Sequence, residues 1–251
     1  MKNDTVVTFV GHSTILVEMG GVRLLTDPVI GSFIGPIRRQ TPAPDPSTLK
    51  VDAILISHLH GDHFSLSSLK KLGCETQLIV PAGAALYLKA RGFRNVHGIK
   101  ENETFGVNGL QVSATKAVHG GRQLPWTPVI EPLGFLLEGN HKIYFAGDTD
   151  IFPEMSTIGR SLDLALIPVW GWGPNLGKGH MDPLNAAESL VHLRPRLAIP
   201  IHWGTYGPIG IDRLYTRFLR RPPLDFAQHA ANITPDVCVQ ILQPGESTTL
   251  P

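Results

Sequence analysis

Short apolar runs with strand-like spacing fill the first part of the chain, and residues 6–10, 15–19 and 22–26 each read as a β-strand. Gly11 and the Gly20-Gly21 pair fall between these runs, where hairpin turns are needed. A Pro/Gly-rich loop is predicted from Pro28 to about Pro46. Residues 51–57 then run apolar without alternation, the pattern of a strand covered on both faces. Helical periodicity follows at 65–72 and 82–90, with a strand-like stretch at 77–80 between them. Further strands are predicted at 110–118, 134–137, 143–146, 164–169 and 197–201, and a final one at 237–242. Helices are predicted at 183–193 and 212–220; the first has clear start signals, Asp182 as N-cap and Pro183 as first helical residue. No repeat, linker or low-complexity tract interrupts the pattern. Strands dominate early and alternate with helices later, which two strand layers between outer helices would satisfy.

Length and charge narrow the class. With 251 residues, one sizeable domain over 1–251 is expected. Apolar residues make up 42% and charged residues 17%, a globular and soluble composition. Lys plus Arg is 22 against 21 Asp plus Glu, so no global field draws nucleic acid. Cys74 and Cys238 form no CxxC pair, which fits a reducing, cytoplasmic setting. Neither a signal peptide nor a spanning helix is predicted.

The unusual feature is histidine: three of the 11 fall within the six residues His58-Leu59-His60-Gly61-Asp62-His63. This segment directly follows the buried run 51–57, so it should lie at the C-terminal end of a strand. Imidazole nitrogens and a carboxylate suit zinc, manganese or iron. Gly61 is expected to let the backbone turn sharply enough to split the four side chains between two adjacent sites. Other chemistry-bearing residues also sit at predicted strand ends: His119, Asp148 in Gly147-Asp148-Thr149, and His202 before Trp203-Gly204.

His-x-His-x-Asp-His and the order of these later motifs resemble the metallo-β-lactamase superfamily over nearly the whole chain. The resemblance implies a four-layer αββα sandwich (an α/β, or α+β, fold) with two divalent metal ions. It implies that His58, His60 and His119 hold one ion, that Asp62, His63 and His202 hold the other, and that Asp148 bridges them. Two ions sharing a water lower its pKa and steady charge developing on the substrate. Asp62 and Asp148 would thus serve catalysis as well as ligation.

Within the superfamily, Gly11-His12-Ser13-Thr14, Leu25-Thr26-Asp27-Pro28, Gly179-His180-Met181-Asp182-Pro183 and Ile201-His202-Trp203-Gly204-Thr205 are similar to N-acyl-phosphatidylethanolamine phospholipase D and the ascorbate-phosphate lactonase. By that resemblance His180 reaches the active site, to bind substrate or assist proton transfer. Asp27 accepts a hydrogen bond from a ligand imidazole, or else ends its strand in an Asp-Pro turn. His12 lines the pocket rim or satisfies the hairpin turn. The loops at 120–129 and 170–173 depart from the phospholipase.

Other patches are substrate candidates. Trp126, Trp170, Trp172 and Trp203 occupy loop-like contexts near the metal motifs, where aromatic walls would suit an apolar or sugar-like group. Arg38 and Arg39 lie in the long proline-rich loop and could meet an anionic group. Arg213, Arg217, Arg220 and Arg221 read as a solvated helix face. The expected activity is hydrolysis of a phosphodiester in a small molecule, at two zinc ions or at manganese or iron. The rivals are a lactonase or other carboxyl-ester hydrolase, and an iron-dependent oxidoreductase on the same scaffold. The partner is a small molecule, not nucleic acid, and self-association is compatible with the chain.

Overall fold

The computed structural model describes residues 4–120, 127–171, 177–210 and 217–250. The first three strands are β1 (Thr5–Gly11), β2 (Thr14–Met19) and β3 (Val22–Thr26), joined by two tight turns. After β4 (Phe33–Ile34) and β5 (Ile37–Arg39), a 3-10 turn at Pro46–Leu49 leads to β6 (Ala53–Leu55). Helix α1 (Leu66–Leu72), strand β7 (Gln77–Pro81), helix α2 (Ala82–Lys89) and strand β8 (Val96–Ile99) complete this half. The second half holds β9 (Thr104–Val107), β10 (Leu110–Lys116), β11 (Leu133–Glu138), β12 (Lys142–Phe145), the short α3 (Met155–Ile158) and β13 (Leu164–Pro168). It continues with α4 (Pro183–Leu193), β14 (Leu197–Ile201), β15 (Tyr206–Pro208), α5 (Pro222–Ile233), β16 (Cys238–Val239) and β17 (Ser247–Leu250).

Two seven-stranded sheets result, in the orders β17-β1-β2-β3-β6-β7-β8 and β16-β14-β13-β12-β11-β10-β9. Alternation within β1 and β2 divides their side chains between two cores. Phe9, Ile15 and Val17 face the second sheet, where they join Phe135, Tyr144 and Phe145. Leu16, Leu25, Ile54 and Leu78 point the other way and are covered by Leu69 of α1 and by Ala84 and Leu88 of α2. Ala186 and Leu190 of α4, with Phe226 of α5, cover the second sheet. The layers are therefore helix, sheet, sheet, helix, the αββα sandwich that the resemblance implies. No helix among the described residues is long and apolar enough to cross a membrane.

The departures from the sequence reading have local causes. The run 51–57 yields only Ala53–Leu55 as strand, because Ser57 N–H leaves the ladder for the Asp27 carboxylate at 2.7 Å. The expected loop 28–46 contains β4 and β5, which pair with each other, and β5 pairs with β15 to complete a small third sheet. The expected final strand 237–242 shrinks to Cys238–Val239, and the last strand is instead Ser247–Leu250, paired antiparallel to β1. Of the expected helix 212–220, residues 212–216 lie outside the described residues and 217–220 are helical. Arg217, Arg220 and Arg221 are exposed, with Arg221 N–H donating to Arg217 O at 2.9 Å; the chain bends at Arg221 before α5 starts at Pro222, and Arg213 lies outside the described residues. Arg221 instead pairs with Asp225 at 3.0 Å.

Candidate metal centre

Seven chain segments deliver polar side chains to one end of the sandwich, each just past a strand or just before a helix, with His12 after β1. Asp27 follows β3, residues 58–63 follow β6, His119 follows β10 and Asp148 follows β12. His180 precedes α4, and His202 follows β14. The 58–63 segment turns tightly, with His63 N–H and Phe64 N–H both donating to His60 O at 3.0 and 2.8 Å. Gly61 is not among the positive-φ glycines, so the turn is made without a left-handed conformation there. An added Cβ at Gly61 would meet only Ile34 Cγ2, at 3.4 Å, an ordinary contact.

The side chains gather into two adjoining clusters. In the first, His60 Nδ1 lies 3.0 Å from His58 Nε2 and 2.9 Å from His119 Nε2, so three nitrogens converge on one point. In the second, His202 Nε2 lies 3.0 Å from His63 Nε2 and 3.5 Å from Asp62 Oδ2. Asp148 stands between them. Its Oδ2 is 3.2 Å from His63 Nε2 and 3.3 Å from His180 Nε2, and its Oδ1 is 3.2 Å from His202 Nε2. It also groups with His119 and His180 as a further set with metal-holding spacing. His12 joins the second cluster through Nε2, 3.1 Å from Asp62 Oδ2.

The outer nitrogens are held as well. His63 Nδ1 lies 2.7 Å from Asp27 Oδ2, and His119 Nδ1 lies 2.8 Å from Gly179 O. His202 Nδ1 meets Trp170 O, and His58 Nδ1 lies 2.9 Å from Ser57 Oγ. Ser57 Oγ–H in turn donates to Asp27 Oδ2 at 2.5 Å. The Asp27–Ser57 pair thereby orients one imidazole in each cluster. Ser57 was not singled out from the sequence; its position immediately before the first histidine of the motif was the available signal.

Electrostatics sort these groups by charge. Burial pushes His58 and His60 down, and takes His119 to about 4, so these imidazoles stay neutral with lone pairs available. Burial alone would raise Asp62 and Asp148, but facing imidazoles outweigh it and hold both well below the usual aspartate value. His63 and His12 act on Asp62, and His202 and His63 on Asp148. Burial opposes charge on His63, yet Asp148 and Asp62 raise it well above an ordinary histidine. In this arrangement a proton on His63 neutralises carboxylates that a cation could neutralise instead. Asp148 Oδ1 is buried and has no hydrogen-bond partner, although His202 Nε2 is within ion-pair distance. An orphaned anionic oxygen beside converging, neutral nitrogens is the donor set that a divalent ion needs.

The remaining candidates are placed differently. Arg39 is buried and committed: it donates to Val29 O at 2.7 Å and to Tyr206 Oη at 3.1 Å, with Thr41 Oγ1 at 3.2 Å. Its place is structural, contrary to the anion-binding expectation. Arg38 is exposed on β5. Trp203 is packed in the core, its ring 5.7 Å from Phe9 and its Nε1–H donating to Pro200 O at 2.8 Å, rather than forming a wall of the metal cleft. Trp126 and Trp172 lie outside the described residues.

Comparison with known proteins adds the family context. A family model described as a beta-lactamase superfamily domain matches residues 22–203. A UPF0173 metal-dependent hydrolase of Deinococcus radiodurans is 34% identical over 242 residues, covering 96% of this chain and 97% of the relative. One from Methanopyrus kandleri is 29% identical over 249 residues, covering 96% and 98%. Among solved structures, Igni18, a metallo hydrolase from the hyperthermophilic archaeon Ignicoccus hospitalis, aligns with a TM-score of 0.77 at 24% identity, covering 99% of both chains. At that identity the likeness speaks to the fold.

Proposed function

Because the chain belongs to the metallo-β-lactamase superfamily, among whose members its relatives are metal-dependent hydrolases, we propose that it hydrolyses an ester-type bond at a pair of divalent ions. The observation that carries this reading is Asp148, one carboxylate within 3.3 Å of the ring nitrogens of His63, His180 and His202, grouped also with His119 of the first cluster, and with an unpartnered oxygen. His58, His60 and His119 would hold one ion, Asp62, His63 and His202 the other, and Asp148 both. Zinc is the first expectation, and the same donors accept manganese or iron. Such a pair supplies Lewis-acid activation of water and of the substrate oxygen at neutral pH.

The chain's own residues supply orientation and proton handling. Asp27 and Ser57 fix the ring planes of His63 and His58. His180 is the partly open imidazole, its side chain 22% exposed, with Nδ1 on Gly177 O at 3.1 Å. Burial lowers its pKa, but the hydrogen bond and charge of Asp148 raise it overall, so Nε2 can carry a proton near neutrality. From there it can be delivered to a leaving oxygen.

A phosphodiester is the first substrate class, because two ions flanking one carboxylate suit in-line displacement at phosphorus and because the His12, Asp27, His180 and His202 motifs resemble those of the phospholipase. One observation favours a second reading, a lactone or other carboxyl ester. Arg39, the nearest thing to a phosphate clamp in the sequence, is engaged by Val29 O, Tyr206 Oη and Thr41 Oγ1.

The test is elemental analysis of untagged protein, together with turnover of bis-p-nitrophenyl phosphate and of a lactone panel. About two zinc or manganese per chain with phosphodiester turnover supports the first reading. Lactone turnover alone selects the second. Stoichiometric iron with oxygen uptake replaces hydrolysis by an oxidoreductase, and full metal content and activity in His58→Ala and Asp148→Ala proteins sinks the ligand assignment.

A further inference from the structure

The imidazoles at the centre follow a rule that two of them break, each in its own way. His58, His63, His119, His180 and His202 each turn Nε2 inward and have an oxygen at Nδ1: Ser57 Oγ, Asp27 Oδ2, Gly179 O, Gly177 O and Trp170 O. His60 is reversed, with Nδ1 facing the nitrogens of His58 and His119. His12 also turns Nε2 inward, 3.1 Å from Asp62 Oδ2, but its Nδ1 is buried with no hydrogen-bond partner.

That difference separates two roles. An imidazole that ligates through Nε2 carries its proton on Nδ1 and almost always donates it to an outer oxygen. At His12 that proton would have no acceptor, and buried N–H groups are rarely left orphaned, whereas an unmet lone pair is tolerated more often. The proton of His12 therefore belongs on Nε2, where Asp62 accepts it. We propose that His12 is a positioning residue: it is no metal ligand, but it holds the Asp62 carboxylate in the orientation that completes the second metal site.

The surroundings of His12 support this. Of the nitrogens around Asp62 Oδ2, His12 Nε2 is nearer at 3.1 Å than His202 Nε2 at 3.5 Å or His63 Nε2 at 3.9 Å. The ring is fixed from several sides, with its centroid 3.9 Å from that of His202 and edge-on to Tyr206 at 5.7 Å. The backbone is clamped as well. His12 N–H donates to Thr205 Oγ1 at 2.7 Å, and His12 O accepts from His202 N–H at 2.8 Å. His12 has φ +57, Asp27 +34 and His202 +64. Three non-glycine residues in a sparsely populated conformation thus converge on the second cluster. Strain of this kind persists where the surrounding structure over-determines a functional geometry.

The inference rests on the two-ion reading, and cobalt titration of the metal-free protein separates the two. Wild-type protein should take up two Co²⁺ with distinct affinities. His12→Asn suits the left-handed backbone, but its amide reaches only the Nδ1 position, so the second Co²⁺ should bind about 10- to 100-fold more weakly with the first unchanged. His12→Gln, whose amide reaches the Nε2 position, should recover most of that loss and leave the visible spectrum of the second Co²⁺ as in wild type. Metal-free His12→Gln should be no more stable than metal-free His12→Asn, since asparagine suits the left-handed backbone better, so a packing defect does not explain tighter second-site binding in His12→Gln. Undiminished binding in His12→Asn, or no recovery in His12→Gln, overturns the proposal. A shifted second-site spectrum in His12→Gln also overturns it, by making His12 a ligand. Wild-type protein that binds a single Co²⁺ overturns the two-ion reading itself.

Discussion

His63 Nδ1 lies 2.7 Å from Asp27 Oδ2, and both residues are fully buried. The same carboxylate accepts Ser57 N–H and Ser57 Oγ–H, and that hydroxyl faces His58 Nδ1. One aspartate thereby sets a ring in each cluster. Asp27→Asn keeps the shape and tolerates the positive φ, but removes the charge that polarises His63. Metal affinity should fall about 10- to 100-fold, with activity following. Equilibrium dialysis of zinc against a competing chelator checks this, and unchanged affinity would count against an orienting role.

Gly179 supports the other cluster. Its carbonyl accepts from His119 Nδ1 at 2.8 Å, and its φ is +81. A Cβ there would lie 2.7 Å from His119 Cα and 2.9 Å from Gly120 N, both backbone atoms that cannot swing aside. Gly179→Ala should destabilise the protein by about 1–3 kcal/mol and displace His119. Denaturant unfolding with and without zinc reads both effects. A variant as stable as wild type, with metal binding intact, would show that the backbone here yields more easily than the packing implies.

The sandwich, and the gathering of the His-x-His-x-Asp-His side chains at one end of it, are legible in the sequence because they rest on local patterns. The runs around Phe9, Val17 and Phe145 had the right periods, and Asp182-Pro183 marked the start of α4, where Asp182 accepts from Asn185 N–H at 2.9 Å. What escaped depended on partners distant in sequence. Strand β17 is polar, Ser247–Leu250, and becomes a strand only by pairing with Thr5–Thr8. Helix α5 opens with Pro222-Pro223, which reads as a break although proline is well suited to a first helical turn. Phe33 and Ile37 looked like loop residues because β5 takes its hydrogen bonds from Tyr206–Pro208, far along the chain. Arg39 reads as a ligand-facing cation because its acceptors, Val29 O and Tyr206 Oη, lie 10 and 167 residues away in the chain. Ser57 went unnoticed because a serine carries no motif until an aspartate 30 residues away is folded against it.

The pKa shifts predict how the metal-free protein responds to acid. His12 is lowered to about 3 and His119 to about 4, chiefly by burial, and His58 and His60 shift the same way. Folded values below the unfolded value of about 6.5 mean that the unfolded chain binds more protons as pH drops below that point. Stability should therefore fall from about pH 6.5 toward 4. Asp27, raised by burial, acts in the opposite sense above its ordinary value, one group against four. His63 and His180 are raised, so their contribution is complete below about 6.5 and is lost as pH climbs through their folded values. The melting temperature of chelator-treated protein should accordingly peak near pH 6.5, and a monotonic rise through pH 8 would contradict this.

Metal removal should be felt in stability because the centre gathers Asp62 and Asp148 with the imidazoles of His58, His60, His63, His119 and His202. Without an ion, the carboxylates are balanced by a proton on His63, a single charge against two. An ion that binds only the folded chain stabilises it by about 2.7 kcal/mol per site at a free concentration 100 times its Kd. For a chain of this size, each kcal/mol moves the melting point by roughly 2–4 °C, so one filled site is worth on the order of 5–10 °C. Zinc should therefore raise the melting temperature of chelator-treated protein in proportion to the logarithm of its concentration. The rise should be smaller at pH 6 than at pH 8, because the ion must displace the proton that His63 holds. Asp148→Asn should cut the increment at both sites, as expected of a carboxylate serving both clusters, whereas loss at one site alone would assign Asp148 to a single ion.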